Sequence, residues 1–260
     1  PGQGPPVPPP PAKAAAMRQE AADKARAASL TQACPPSEHE LARLALGDAG
    51  READADALIM RVELYARIGC QALRLACTNE VHRCLAKAIA LLPEPPRPAS
   101  TKDDERAHAE SDARAIPSAA GEAPPFDGAN TPARAWRWGA VAEKTRGSAI
   151  QRSVAPGQDK STQDNLYAVA LAHFVRSARH AVVAKEWPQL VVDAAEKLYN
   201  CAVPLSGAAV SRRLASSPVR CVLACLRAAP VGGAAALNVE ASLLGLLLEC
   251  FLDDGDFAKG

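Results

Sequence analysis

Eight cysteines and five histidines are the residues of this chain best suited to metal binding or nucleophilic chemistry, and their spacing builds neither. Cys221 and Cys225 stand four apart on one predicted helix face. A tetrahedral zinc site needs two further ligands nearby, and no paired C-x-x-C supplies them. Cys70, Cys77 and Cys84 recur regularly, yet a turn is expected between the last two, so one helix face cannot hold all three. His82 lies beside Cys84, a pairing that incidental spacing explains as well as catalysis does. There is no G-x-x-x-x-G-K-[ST] phosphate loop, no G-x-S-x-G elbow and no H-E-x-x-H. The sequence therefore predicts no enzyme: no catalytic residue, no cofactor and no metal ligand. Cysteines scattered through helix-like patterns read as reduced thiols of a cytosolic compartment rather than a disulfide framework, with Cys221 and Cys225 as core residues.

Two other groupings could bind a macromolecule. Trp136 and Trp138 sit in Ala135-Trp136-Arg137-Trp138, an island inside a polar stretch. Large aromatic rings there could anchor another protein surface, and a chance pair in a linker has the same appearance. His173, Arg176, Arg179 and His180 share one side of a predicted helix. That basic face has the chemistry to meet an acidic partner such as a tubulin tail; an ordinary solvated face shows the same pattern. Arg212-Arg213-Leu214-Ala215-Ser216 loosely matches a basophilic kinase site, with the same two readings. Net charge adds no pull of its own, because 30 basic residues meet 29 acidic ones, so neither nucleic acid nor membrane is expected as a partner. The leucine-rich run Leu243 to Leu248 is far below the roughly 20 residues of a spanning helix.

The elements that must carry these residues read as helices. Alanine and leucine dominate while aromatics are only 4%, a balance favouring helix over sheet, and no segment alternates as a strand would. Residues 1–36 form a Pro/Ala-rich segment, with an exposed or partner-docked helix from about Ala12 to Cys34. Residues 37–92 are expected to hold helical hairpins. Ser37 and Glu40 have capping-box spacing for a short helix ending at Gly47 and Gly50. A second helix runs from about Asp54 to Ile68 with Leu58, Val62, Tyr65 and Gly69 on one face, and a third from Glu80 to Leu92 behind a Thr78 or Asn79 cap. Residues 93–162 carry prolines, glycines, serines and an acidic run. So low an apolar content predicts a disordered insert, ordered only by a partner.

From 163 the helical signal resumes. Asp164 is expected to cap a helix to about Lys185, with Leu166, Tyr167, Ala170, Phe174, Ala178 and Ala181 on its apolar face. Trp187-Pro188 opens the next helix, in which Leu190, Val191, Ala194 and Leu198 face inward while Asp193, Glu196 and Lys197 face out. Ser217-Pro218 reads as a cap and first turn for a helix to Ala229. Asn238 caps a last helix to about Leu252, so rich in leucine that it needs neighbours on most sides.

Residues 62–93 follow the spacing of a tetratricopeptide unit, a helix–turn–helix repeat of about 34 residues. Tyr65 takes the large aromatic position, Ile68-Gly69 the apolar–small pair, Leu85 the later large position and Ala88 the final small one, and Pro93 closes the unit. Gly69 and Ala88 would let the helices approach, and Tyr65 and Leu85 would fill the space between. In the repeat's carboxylate-binding variety, lysines and asparagines would occupy the positions of Ala66 and Cys70, which argues against a chaperone-adaptor role. Gly255-Asp256-Phe257-Ala258-Lys259 looks like the turn into a further helix. The fold expected is all-α, a helical-hairpin solenoid fragment that stops mid-repeat.

The stretch Asn165 to Asp256 also resembles a known family. Its Glu186-Trp187 turn, Ala194-Ala195-Glu196-Lys197-Leu198-Tyr199-Asn200 and Ser217-Pro218-Val219-Arg220 are similar to large tetratricopeptide-type, cilia- and flagella-associated scaffold proteins of the central-apparatus C1d projection. The alanine-rich composition and long insert look like a green-algal version. The resemblance covers about 100 of the 260 residues and rests on loose motifs. It implies a structural role in assembling the C1d projection on a central-pair microtubule and supporting motility. The partners it implies are other central-apparatus proteins, calmodulin-associated neighbours and tubulin, within the axonemal cytoskeleton. The rival expectation is a cytosolic helical-repeat adaptor for soluble signalling or chaperone clients.

Overall fold

The computed structural model describes residues 38–98, 102–115 and 131–254, without the side chains of 38–54, 102–104 and 254. The expected helix at 12–34, the Ser37 cap and the turn at 255–259 lie outside the described residues. Among the described residues there are eight α-helices and no strand. These are α1 Glu38–Arg74, α2 Thr78–Ala90, α3 Lys102–Arg114, α4 Ala133–Arg152, α5 Lys160–Val183, α6 Gln189–Ala202, α7 Ala209–Ala228 and α8 Ala234–Asp254, with a 3₁₀ turn at Val203–Leu205. The chain divides into two compact units, 1–55 and 56–260. Of the first, only the α1 backbone is described; the second carries everything below.

Helix boundaries depart from expectation where a local signal yields to a longer periodic pattern. α1 runs through Gly47 and Gly50, since a mid-helix glycine costs only about 1 kcal/mol. It ends instead at Arg74, and Ala76 just beyond takes a left-handed φ of 57°. The Cys77 N–H then reaches back five residues to the Ala72 carbonyl (2.9 Å), the closing bond of such a terminus. α2 starts at Thr78, behind Cys77, with no side-chain cap. At α5 the cap is Asp159, whose carboxylate accepts the Thr162 N–H (2.9 Å) and hydroxyl (2.5 Å). Asp164, one turn in, accepts from the Ser211 hydroxyl and pairs with Lys160.

Pro218 does not start a helix but lies inside α7, and Asn238 lies inside α8. Proline lacks the N–H that would bond the carbonyl four residues back. That carbonyl belongs to Leu214, and Arg114 of α3 donates to it from Nη1 (3.3 Å). Ser217 beside the proline donates to Glu110 of α3 (2.8 Å). The interruption in α7 thus fastens α3 to it.

The largest departure concerns 93–162. Residues 99–101 and 116–130 lie outside the described residues, but α3, α4 and the opening of α5 are helical. Averaged over the stretch, apolar content is low; within Ala133–Arg152 it is concentrated. Ala135, Trp136, Gly139, Ala140, Ala142, Ala149 and Ile150 are all buried. The entropy argument against order applies to a segment with no core, and α4 shares the cores of its neighbours.

α4 stands between two apolar clusters. One gathers Ile59, Val62 and Ala66 of α1, Val81, Leu85 and Ile89 of α2, and Ala135, Ala142 and Ala149 of α4. The other gathers Ala140 and Ile150 of α4 with Leu171, Phe174 and Val175 of α5 and the inner faces of α6, α7 and α8. As the repeat spacing predicts, Gly69 admits α2: a Cβ there would overlap Leu85. From α4 onward each helix packs on the next, and α4 on α6, α5 on α7 and α6 on α8; α3 lies across α5 and α7.

α8 buries Leu243, Leu246, Leu247, Cys250 and Phe251 and leaves Leu237, Leu244, Leu248 and Leu252 exposed. Each buried leucine contributes roughly 1.5–3 kcal/mol. Run length predicted no spanning helix, yet Ala234–Asp253, with a mean hydropathy of 1.7, is long and apolar enough to cross a membrane. Here it is held on α7 by Arg212, which pairs with Glu249 (3.6 Å) and Asp253 (3.2 Å).

Candidate functional site

Two places concentrate functional side chains: a closed polar seam between α4 and α5, and an open groove between α1 and the start of α4. The seam begins with small residues. A Cβ on Gly139 would fall 2.6 Å from Leu92 and 2.8 Å from the His180 ring, and one on Gly147 2.8 Å from Phe174. Glycine at both positions lets the helices close to where charged side chains on one meet charged side chains on the other.

Glu143 of α4 and His173 of α5 are 1% and 0% exposed, and the His173 Nδ1–H donates to Glu143 Oε2 at 2.6 Å. Arg176 Nη1 lies 3.8 Å from the other carboxylate oxygen. Arg146, also buried, adds another positive charge one turn along α4. Burial alone would raise the Glu143 carboxyl, but the charge and hydrogen bond of His173, with the charge of Arg176, hold it below the usual carboxylate range. Glu143 therefore stays ionised, as a buried carboxylate can only when paired. His180, one turn beyond Arg176, is pushed down to about 3 by burial, so its imidazole is neutral. Its ring rests on Trp136, centroids 5.2 Å apart.

Arg179 leaves α5 on an adjoining side. Its guanidinium donates to Asp112 of α3 (2.7 Å) and to the Pro95 carbonyl, and Asp112 also pairs with Arg97 (2.9 Å). This buried arginine ties α5 to α3 and to the strap at 93–98.

Chemically, the seam is a lock. His173 with Glu143 resembles the base and orienting group of a hydrolase, but a nucleophile must stand within reach of the far ring nitrogen. His173 Nε2 has no hydrogen-bond partner among the described residues. Nor do those residues contain three His, Cys, Asp or Glu side chains placed to hold a metal ion. Cys225 and Cys201 are core thiols, each pushed up to about 12 by burial. Arg212, within the kinase-like sequence, is engaged in α7 with Asp253 and the Ser206 carbonyl.

The expected basic face is thus corrected. His173, Arg179 and His180 are buried and Arg176 half-buried, so they present no surface to an acidic partner. Periodicity assigned the polar side of α5 to solvent because it could not show that a second helix, α4, covers it. The tryptophan anchor is corrected in the same way. Trp136 is 1% exposed and belongs to the interior. Residues two apart on a helix point about 200° away from each other. Trp138 accordingly packs on the α1–α2 cluster, half-buried beneath the guanidinium groups of Arg67 (5.2 Å) and Arg137 (5.4 Å).

The groove was not foreseen. It is an open depression of about 530 Å³ lined by Ala57, Met60, Arg61, Glu63, Leu64 and Arg67 of α1 and by Arg134 of α4. Its floor is apolar and unusually exposed for such residues, Met60 at 62% and Leu64 at 56%. Ile68 continues the row one turn on. Glu63 pairs with Arg67 (2.6 Å) and Arg134 (2.7 Å), fixing both arginines at the rim. The signal in the sequence is Met60-x₃-Leu64-x₃-Ile68, a second apolar row on a helix whose core row is Ile59, Val62 and Ala66.

No protein-family model matches the sequence, no curated protein matches it, and no solved structure matches the fold.

Proposed function

We propose that this chain is a non-enzymatic, protein-binding scaffold segment, part of a helical-hairpin solenoid in the central apparatus of motile cilia. One observation supports the binding role above others: Glu143, His173 and His180 are enclosed in the α4–α5 seam, while the groove leaves Met60 and Leu64 open. A protein that acts by docking needs that distribution. The solenoid reading draws on the order of α4 to α8, in which each helix packs on the next and the next but one, as in a stacked array. The ciliary assignment draws on the resemblance of Asn165–Asp256 to C1d scaffold proteins, and with it come the expected neighbours: central-apparatus proteins, calmodulin-associated proteins and tubulin. Extraction of isolated axonemes with salt tests it. The native protein is expected to stay with the washed axoneme; release into the soluble fraction would favour the cytosolic adaptor.

A further inference from the structure

We infer that the groove between α1 and α4 receives an amphipathic helix with acidic flanks, contributed by a different protein. The inference rests on the scaffold reading and adds the chemistry of the partner. Met60, Leu64 and Ile68 recur every four residues along α1, so their side chains form one exposed ridge. A second helix packs on such a ridge by interdigitation, the mode by which amphipathic helices enter apolar grooves. Strand addition would need a sheet edge, and the described residues contain no strand.

The rim selects the charge of the occupant. Three arginines line the groove against one glutamate, a surplus of two positive charges. Glu63 is spent on Arg67 and Arg134, and Arg61 has no ion-pair partner among the described residues. A helix with glutamate or aspartate beside its apolar stripe would satisfy this rim, whereas a basic one would meet like charge. The same surplus disfavours a second copy of this chain, which would bring two arginine-rimmed grooves together. Exposed pairs of this kind add little affinity but decide orientation and exclude wrong partners.

The test uses the full chain and two labelled helical peptides with the same leucine stripe, one flanked by glutamates and the other by lysines, read by fluorescence polarisation. The glutamate peptide is expected to bind saturably and at least tenfold more tightly than the lysine peptide. Leu64→Glu should weaken it at least tenfold. Arg61→Glu should weaken it several-fold while strengthening the lysine peptide. Both side chains are exposed, and circular dichroism should show unchanged helix content. Equal binding of the two peptides, or indifference to Leu64→Glu, overturns the inference. So does a dimer in light scattering that Leu64→Glu dissociates, since the occupant is then a second copy. Residues 116–130, which precede α4 in the chain, carry an acidic and aromatic set of their own in Glu122, Phe126 and Asp127. Tighter peptide binding after their joint replacement would make that segment the occupant, and also overturns it. Axonemal retention separates this from the broader reading. A chain that stays in salt-washed axonemes but ignores the peptides refutes the groove's partner alone. One that binds the glutamate peptide yet washes out refutes the ciliary assignment alone.

Discussion

In the α4–α5 seam Arg146, Arg176 and Glu143 are enclosed by packed helices, whereas in the α1–α4 groove Arg61, Arg67, Arg134 and Glu63 rim an opening to solvent. The residue types are the same and the consequences opposite. In the seam Glu143 and Arg146 have lost their water, so removing one partner leaves another stranded at a cost of several kcal/mol. At the rim water replaces any lost partner, and such pairs contribute about 0–1 kcal/mol. The seam therefore decides whether the helices stay together, and the groove is free to decide what binds. Apolar residues divide likewise: Trp136 is enclosed while Met60 and Leu64, on the other side of α4's first turn, are open.

The strongest way to break this comparison is to empty the seam. Glu143→Ala leaves His173, Arg146 and Arg176 buried without their carboxylate. It should cost about 3–5 kcal/mol of unfolding free energy, read from the urea midpoint. Trp136→Ala should cost a comparable 3–5 kcal/mol by opening a cavity in the interior. If either variant melts like the parent chain, the seam is not what holds α4 on α5.

A milder test titrates the seam. Burial lowers His180 from 6.5 to about 3, so below 6.5 the unfolded chain binds a proton that the folded chain refuses. Stability is full above 6.5 and is lost as pH falls towards 3. Between pH 7 and pH 5 the loss from this residue is about 2 kcal/mol. Glu143, whose folded carboxyl is held low, subtracts in the same direction at more acid pH, as stability present above 4.5 disappears through its folded titration. Melting temperature against pH should show the slope, and His180→Gln should flatten it between pH 5 and 6.5.

Smaller still is the bridge at Pro218. Arg114→Ala leaves the Leu214 carbonyl without its donor and should cost about 1 kcal/mol. Pro218→Ala restores an N–H to α7, so Arg114→Ala made in that background should be nearly silent. At the bottom of the scale, Leu64→Ala or Met60→Ala should leave stability within about 0.5 kcal/mol, because neither side chain is enclosed.

These contrasts show what the sequence could and could not disclose. Helical periodicity identified the inward residues of α6 (Val191, Ala194 and Leu198) and the Gly69–Leu85 approach, because one apolar stripe facing one core is what periodicity measures. It failed where a helix is covered on two sides. α5 gives Phe174 and Ala178 to the apolar cluster and His173 to Glu143, and a polar stripe buried against another helix is written in the same residues as one facing water. Compositional averaging failed at α4 because polar flanks diluted a short apolar segment. Ser217-Pro218 misled because the carbonyl that the proline orphans is satisfied from α3, 100 residues away in sequence. The groove was legible as the Met60–Leu64–Ile68 row, but only beside the core row of the same helix does it register as surplus.

The claim that binding belongs to the groove and cohesion to the seam meets its most direct test in the assembly proposed for the chain. Axonemes carrying the parent chain or the Leu64→Glu chain are washed with salt, and retained protein is quantified alongside each chain's melting temperature. The account predicts that the parent chain stays, that Leu64→Glu is released, and that the two melt together. Retention of Leu64→Glu at the parent level, or a melting temperature lowered by that substitution, would contradict it.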